Sequence, residues 1–203
     1  MPIHKTVFLI LWLAASLNSA QPPLLKRVRN AVTAIQPFKV DFIHQVFIDK
    51  EKDYEESGEI VFVNPQRLKW HYLKPENKIF ILERNRYQFY IEESNQLMRG
   101  EVGKKNEQMI WQMLFSETHG RDIRSDEKTE TIRIRNDSER EFLDIEIKIG
   151  DGDLPVYAVQ IDPWGVKTIY QFRQYRKHYS IGAEEFELKL PKDVEIIDES
   201  ESD

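Results

Sequence analysis

Residues 67–72 read Arg67-Leu68-Lys69-Trp70-His71-Tyr72. Large apolar and polar side chains alternate there with a period of two. An extended chain sends such neighbours to opposite faces. Leu68, Trp70 and Tyr72 therefore share one face, and Arg67, Lys69 and His71 share the other. The alternation recurs in both directions along the chain, and its apolar side is repeatedly aromatic. Phe38, Val40, Phe42, His44, Val46 and Ile48 alternate with Lys39, Asp41 and Gln45, while Ile43 and Phe47 leave the second face only partly polar. Leu143, Ile145, Ile147 and Ile149 alternate with Asp144, Glu146 and Lys148. The pattern predicts a mainly antiparallel β fold of about ten to eleven strands, long enough that the sheet curls or closes around an oily concave side.

Between these segments, Gly58 to Val63 reads as a strand and Asn64-Pro65 as a turn. Lys78 to Leu82 and Arg86 to Ile91 form a hairpin around Glu83-Arg84-Asn85, which brings Tyr87 and Phe89 onto the sheet. Gln96 to Met98 adds a short strand, and the charged run Asp49 to Ser57 reads as a loop. Later strands are expected at Thr131 to Arg135, Pro155 to Ile161, Val166 to Arg176, Lys177 to Ile181 and Glu185 to Leu190. In the last of these, Phe186, Leu188 and Leu190 point inward. Asp193 to Ile197 is a closing edge.

Two segments have helical character. After Pro22-Pro23, the residues Leu24, Leu25, Val28, Ala31, Val32 and Ile35 follow helical spacing until Pro37 ends the run. The stretch from Gly100 to Asp126 breaks the alternation. Within it, Gln108 to Phe115 is apolar and Met-rich and reads as a short helix loosened by Gly103 and Gly120. Flexible Met side chains suit an adaptable apolar surface.

The N-terminus has the character of a secretory signal. Lys5 precedes the apolar run Val7 to Ala15, and small and polar residues lead to Ala20. The expected organisation is a signal peptide over 1–20, one domain over 21–197 and an acidic, disordered tail over 198–203. Loss of Lys5 moves the net charge from −6 to −7. An acidic chain is a poor general binder of nucleic acid, whose affinity comes from phosphate neutralisation. The chain has no cysteine, which excludes disulfides, thiolate metal sites and cysteine nucleophiles.

Searches for catalytic chemistry give little. The histidines His44, His71, His119 and His178 lack metal-ligand spacing, and His119-Gly120-Arg121-Asp122 reads as a solvated loop. No nucleophile elbow or phosphate-binding loop is present. Glu55/Glu56 and Glu184/Glu185 are the carboxylate pairs a hydrolase would need, but they sit in charged surface runs. Arg173 to Tyr179 is basic and aromatic, the composition of an exposed hairpin face or of a docking patch for an acidic partner or a lipid headgroup. We expect no enzyme activity, no cofactor and no metal.

The order of these elements resembles the outer-membrane lipoprotein carrier (LolA) family. The resemblance rests on the N-terminal helix, on Phe42…Gln45, on the run from Gly58 through Asn64-Pro65, Trp70 and Tyr72 to Pro75, and on Phe186 to Val194. It implies an unclosed β-barrel with helices as a lid over an apolar cavity. It implies a periplasmic carrier that takes triacylated lipoproteins from an inner-membrane lipoprotein-releasing ABC transporter to an acceptor at the outer membrane. On that basis Leu68, Trp70, Tyr72, Tyr87 and Phe89 are expected to line the cavity, with Trp111, Leu114 and Phe115 in the lid. The family arginine that helps hold the lid shut is replaced here by Asn64, which lacks a charged fork. We expect a monomer. The residues alone leave open an envelope lipid-binding or lipoprotein-sensing module with the same curved sheet, an exported carboxylate-pair hydrolase, or a closed barrel filled by its own core.

Overall fold

The computed structural model describes residues 22–101, 110–115, 122–138 and 141–199. The readings on the signal segment 1–20, on Gly103, on 108–109, on His119 and Gly120, and on the end of the acidic tail lie outside these residues.

Helix α1 spans Pro23–Ile35, with a proline in its first turn and Leu24, Leu25, Val28, Val32 and Ile35 buried along one stripe. Proline suits that position because its fixed φ is already helical and the first N–H groups have no intrahelical partner. The chain leaves the helix in extended geometry at Gln36 and enters the sheet.

Twelve strands form one open sheet in the order β12-β6-β5-β4-β3-β2-β1-β11-β10-β9-β8-β7. They are β1 (Phe38–Ile48), β2 (Glu51–Asn64), β3 (Arg67–Lys74), β4 (Lys78–Glu83), β5 (Arg86–Ile91), β6 (Gln96–Glu101), β7 (Asp122–Asp126), β8 (Thr131–Ser138), β9 (Glu141–Gly150), β10 (Leu154–Ile161), β11 (Lys167–Arg176) and β12 (Glu195–Asp198). A second helix, α2 (Ile110–Phe115), lies between β6 and β7 in sequence. All strand pairs are antiparallel except β12 with β6, which is parallel. The sheet is strongly bent. Trp70 on β3 and Tyr170 on β11 are separated by β2 and β1, so a flat sheet would place them about 14 Å apart at the usual strand spacing. Their ring centroids are 5.7 Å apart.

Several sequence readings need correction. The run Asp49 to Ser57 is no loop. Only Asp49 and Lys50 turn, with φ of 50° and 69°, the left-handed geometry of a tight hairpin whose twist suits the flanking strands. Glu51 onward pairs with β1 as the start of β2. This part of β2 reaches past the end of β3, so its residues stay exposed and polar. Gly58 sits at a register shift, and a Cβ there would lie 1.9 Å from the His71 carbonyl oxygen. The stretch from Gly100 to Asp126 is bounded by two further strand segments, β6 to Glu101 and β7 from Asp122. Lys177 to Ile181 and Glu185 to Leu190 are not strands. After a turn at His178 (φ 51°), Tyr179 bonds back to the Pro37 carbonyl and the chain crosses the convex face as a strap. Phe186 is buried there with Val61 and Ile81, and Leu188 packs against that cluster. Phe186 and Leu188 thus cover the back of the sheet instead of pointing inward.

Candidate functional site

The concave face carries the main core. Leu68 and Trp70 on β3 lie there with Phe38, Val40 and Phe42 of β1 and Ile60 and Phe62 of β2. Helix α2 packs on this part, while α1 packs on β7, β8 and β10 and joins the same core. Trp111 of α2 is fully buried, its ring 5.4 Å from Phe38, 5.5 Å from Phe62 and 5.3 Å from Phe172. Ile110, Met113 and Leu114 are buried beside it, and Phe115 packs half-buried 6.1 Å from Phe62. The side chains of α2 therefore occupy the oily space that the sheet encloses. The indole N–H groups of Trp70 and Trp111 are buried and find no hydrogen-bond acceptor among the described residues, a costly arrangement for a polar group away from water.

An arginine links the two helices. Arg29 of α1 donates from Nε to the Leu114 carbonyl at 2.5 Å. The last carbonyls of a helix lack intrahelical partners and carry partial negative charge, so a guanidinium is a fitting cap. Partial burial lowers the pKa of Arg29. No sequence signal marked this role, because Arg29 reads simply as the polar side of an amphipathic helix. Asn64 does something else. Its Oδ1 accepts from the Gln66 N–H at 2.8 Å and shapes the β2–β3 turn.

Beyond the helices the concave face is less covered. Tyr87 and Phe89 of β5 stay half-buried, packed on Phe80 of β4 at 5.9 Å and 6.3 Å. Tyr87 donates its hydroxyl to Glu199, and its pKa is pushed up to about 12 by burial together with that hydrogen bond. The chain thus brings Leu68, Trp70, Trp111 and Leu114 into one packed cluster and leaves Tyr87 and Phe89 on a neighbouring, half-open floor.

At the end of the sheet away from α2, the concave face turns polar. His44 Nδ1 lies 3.0 Å from Glu56 Oε2, and Lys78 donates to Glu56 Oε1 at 2.7 Å. The His44 ring stacks on Tyr170 at 4.6 Å, with Tyr54 and Tyr72 edge-on at 5.7 Å and 6.4 Å. The His44 hydrogen bond leads the effects that hold Glu56 below the usual carboxylate range, outweighing the opposing cost of burial, with Lys78 adding to it. Burial lifts the phenols of Tyr72 and Tyr170 upward. Sequence reasoning placed His44 on the inner face but missed its partners, because Glu56, directly opposite it on β2, lay in the run read as a loop and Lys78 comes from β4.

The carboxylates considered for hydrolysis are each engaged separately. Glu55 accepts from Gln45 and Lys52, Glu56 from Lys78, Glu184 pairs with Lys189, and Glu185 pairs with Lys69. Among the described residues no group of three or more acidic or histidine side chains is arranged to hold a metal ion. Among the same residues no helix is long and apolar enough to cross a membrane.

The family model described as outer membrane lipoprotein carrier protein LolA matches residues 33–189. The chain belongs to the LolA family. No curated protein sequence matches it. In three dimensions it is similar to an uncharacterised conserved protein from Thermus thermophilus, at 14% identity and a TM-score of 0.54, over 86% of this chain and 96% of that one. It is also similar to a LolA superfamily protein from Nitrosomonas europaea, at 6% identity and a TM-score of 0.49, over 80% of this chain and 95% of that one. A third similarity is to the MucA/MucB complex of Pseudomonas aeruginosa, at 12% identity and a TM-score of 0.46, over 81% of this chain and 60% of that one. LolA membership supports a lipid- or lipoprotein-binding role and a binding fold rather than a catalytic one. The open, mainly antiparallel sheet with its N-terminal helix has the architecture expected of a LolA-like chain.

Proposed function

We propose that this LolA-family chain is a periplasmic carrier whose concave face takes the acyl chains of lipoproteins once α2 swings away. The carrying observation is the position of α2. A six-residue helix inserts fully buried Trp111 and Leu114 into an aromatic shell, and Arg29 of α1 hydrogen-bonds the end of that helix. Withdrawal of those side chains would vacate an apolar volume lined by Leu68, Trp70, Phe62 and Phe172 without breaking a strand pair. The half-open floor of Tyr87 and Phe89 would extend it.

The physical need for such a site is plain. Each buried CH₂ contributes about 0.8 kcal/mol to membrane anchoring, so a triacylated cargo does not cross water unaided at a useful rate. Aromatic and Met walls are broad and tolerant of chain shape. The unpaired Trp70 and Trp111 N–H groups would find acceptors in the ester carbonyls of an entering cargo. In this reading the cargo comes from an inner-membrane ABC transporter, passes to an outer-membrane acceptor, and the N-terminal 20 residues are an export signal.

The test uses a triacylated lipopeptide and the same peptide without its acyl chains. The protein should bind the acylated form with a change in tryptophan emission and ignore the other. Trp70→Glu, if folded by circular dichroism, should lose binding. Equal response to both peptides, or full binding by folded Trp70→Glu, overturns the proposal. Release of a lipoprotein from inner-membrane vesicles and its delivery to outer-membrane vesicles tests the shuttle itself.

A further inference from the structure

Trp164 is 86% exposed, the most exposed large apolar side chain among those described. It sits at the tip of the β10–β11 hairpin, and that tip is firmly built. Asp162 Oδ1 accepts from the N–H groups of Trp164 and Val166, both at 2.9 Å. The Asp162 N–H donates to the Val166 carbonyl, and Gly165, at φ 85°, donates to the Asp162 carbonyl. An indole held outward on a turn fixed by four hydrogen bonds is displayed, since no neighbouring side chain covers it and the backbone keeps it from folding back.

The neighbours extend the feature. Lys167 pairs with Ile161 on one side and with Phe47 on the other. The β10–β11 tip therefore stands beside the β1–β2 tip at Asp49-Lys50. Ile161 is 45% exposed, Ile48 46% and Tyr54 44%. Lys167 lays its ammonium 6.0 Å from the Phe47 ring centre, the posture of a lysine whose stem runs along apolar surface while its head stays in water. Both tips lie at the end of the sheet where His44, Tyr72 and Tyr170 line the concave face, away from α2.

We infer that these paired hairpin tips are a membrane-docking prong, with Trp164 as its anchor in the interfacial layer of a phospholipid bilayer. Trp and Tyr favour that layer because an apolar ring body meets lipid while the polar edge stays hydrated. A bilayer is also the partner such a shape fits. Specific protein contacts need a broad complementary patch of about 800 Å² per partner, whereas two narrow tips with apolar residues on both sheet faces offer points of insertion. Charge narrows the lipid. The two tips carry Asp49, Glu51, Asp53 and Asp162 beside Lys50, Lys52 and Lys167, so there is no basic excess to select anionic headgroups. Insertion rests on apolar contact and suits neutral phospholipid. The docked orientation turns the polar-aromatic end of the concave face toward the bilayer. The inference stands apart from the cargo reading, since flotation reads lipid surface and the lipopeptide assay reads the interior.

The experiment is flotation of the protein with vesicles of dioleoylphosphatidylcholine and dioleoylphosphatidylethanolamine, comparing wild type with Trp164→Glu and Trp164→Tyr. The N-terminal residues are the same in all three, so differences report the turn. Wild type should co-float and show blue-shifted tryptophan emission, with little dependence on salt. Trp164→Glu should partition about tenfold more weakly or worse, and Trp164→Tyr should fall between. Lipopeptide binding should be the same in all three, which also verifies that the exposed substitution leaves the fold intact. Wild type that stays at the bottom, equal flotation of wild type and Trp164→Glu, or a Trp164-dependent shift in oligomeric state with no vesicle binding would each overturn the proposal.

Discussion

The two halves of the concave face begin from the same sequence rule and end differently. On β1, β2 and β3 the inward residues Phe38, Phe42, Phe62, Leu68 and Trp70 are almost wholly buried in the main core, where Trp111 and Phe115 of α2 pack on Phe38 and Phe62. On β4 the inward Leu82 is still fully buried, but Phe80 of β4 and Tyr87 and Phe89 of β5, which alternate in the same way, stay half-buried. Alternation sets which face a side chain joins. A covering element then decides whether that face becomes core or floor. One half is a packed interior, and the other is a half-buried surface.

The sharpest way to break this contrast is Trp111→Ala. Loss of a fully buried indole is expected to cost about 3–5 kcal/mol, measured by chemical denaturation. A cost under about 1 kcal/mol would place α2 outside the core. Next comes Arg29→Ala. It removes a charge-assisted hydrogen bond of about 1.5–3 kcal/mol from the end of α2. Amide exchange in Ile110–Phe115 should accelerate while β1 keeps its protection. Uniform acceleration throughout would make Arg29 a general stabiliser rather than a latch. On the floor, Phe89→Ala should cost less than Trp111→Ala and still weaken lipopeptide binding severalfold, and unchanged binding would remove Phe89 from the site.

The polar end permits a pH test. The folded Glu56 pKa is lowered, chiefly by its His44 hydrogen bond. Its contribution to stability is therefore present above the ordinary value of about 4.3 and is lost as pH falls through the lowered folded value. Wild type should exceed Glu56→Gln in thermal midpoint at pH 7, and the gap should close on acidification below pH ~4. A gap that stays constant would assign it to packing. The smallest effect is expected for Asn64→Ala, at about 0.5 kcal/mol or less, with no change in α2 exchange. Faster exchange in α2 would restore to Asn64 the lid role that the family resemblance suggested.

Strands that bury one face were legible, since β1, β3, β9 and the β4–β5 hairpin announce themselves by period. Glu51 to Glu55 was not legible, because that part of β2 is a strand through its backbone pairing alone and buries no side chain. The short β7 offers a single apolar residue, Ile123. Phe186 and Leu188 alternate as a strand does, yet they cover a sheet back instead of joining a ladder. The positions of Trp70 and Trp111 were readable from composition and spacing. Arg29 was not, because its partner Leu114 lies far away in sequence, and the His44–Glu56–Lys78 group was not, because reading Asp49 to Ser57 as a loop hid the hairpin register that sets Glu56 opposite His44.

The strap behind the sheet explains how bare aromatic rings can be kept without collapse. Arg67 lies over the Phe186 ring at 4.4 Å, and Lys69 donates to the Glu185 carbonyl at 2.9 Å. Behind β4, Ile79 and Ile81 press against the same segment. The outer wall is thus buttressed from its rear, and its stiffness does not depend on anything filling its front. A single six-residue strand segment does both jobs, sending Trp70 into the front core while its basic side chains fasten the brace. The rear brace would therefore let this wall keep its curvature if its front covering were to change.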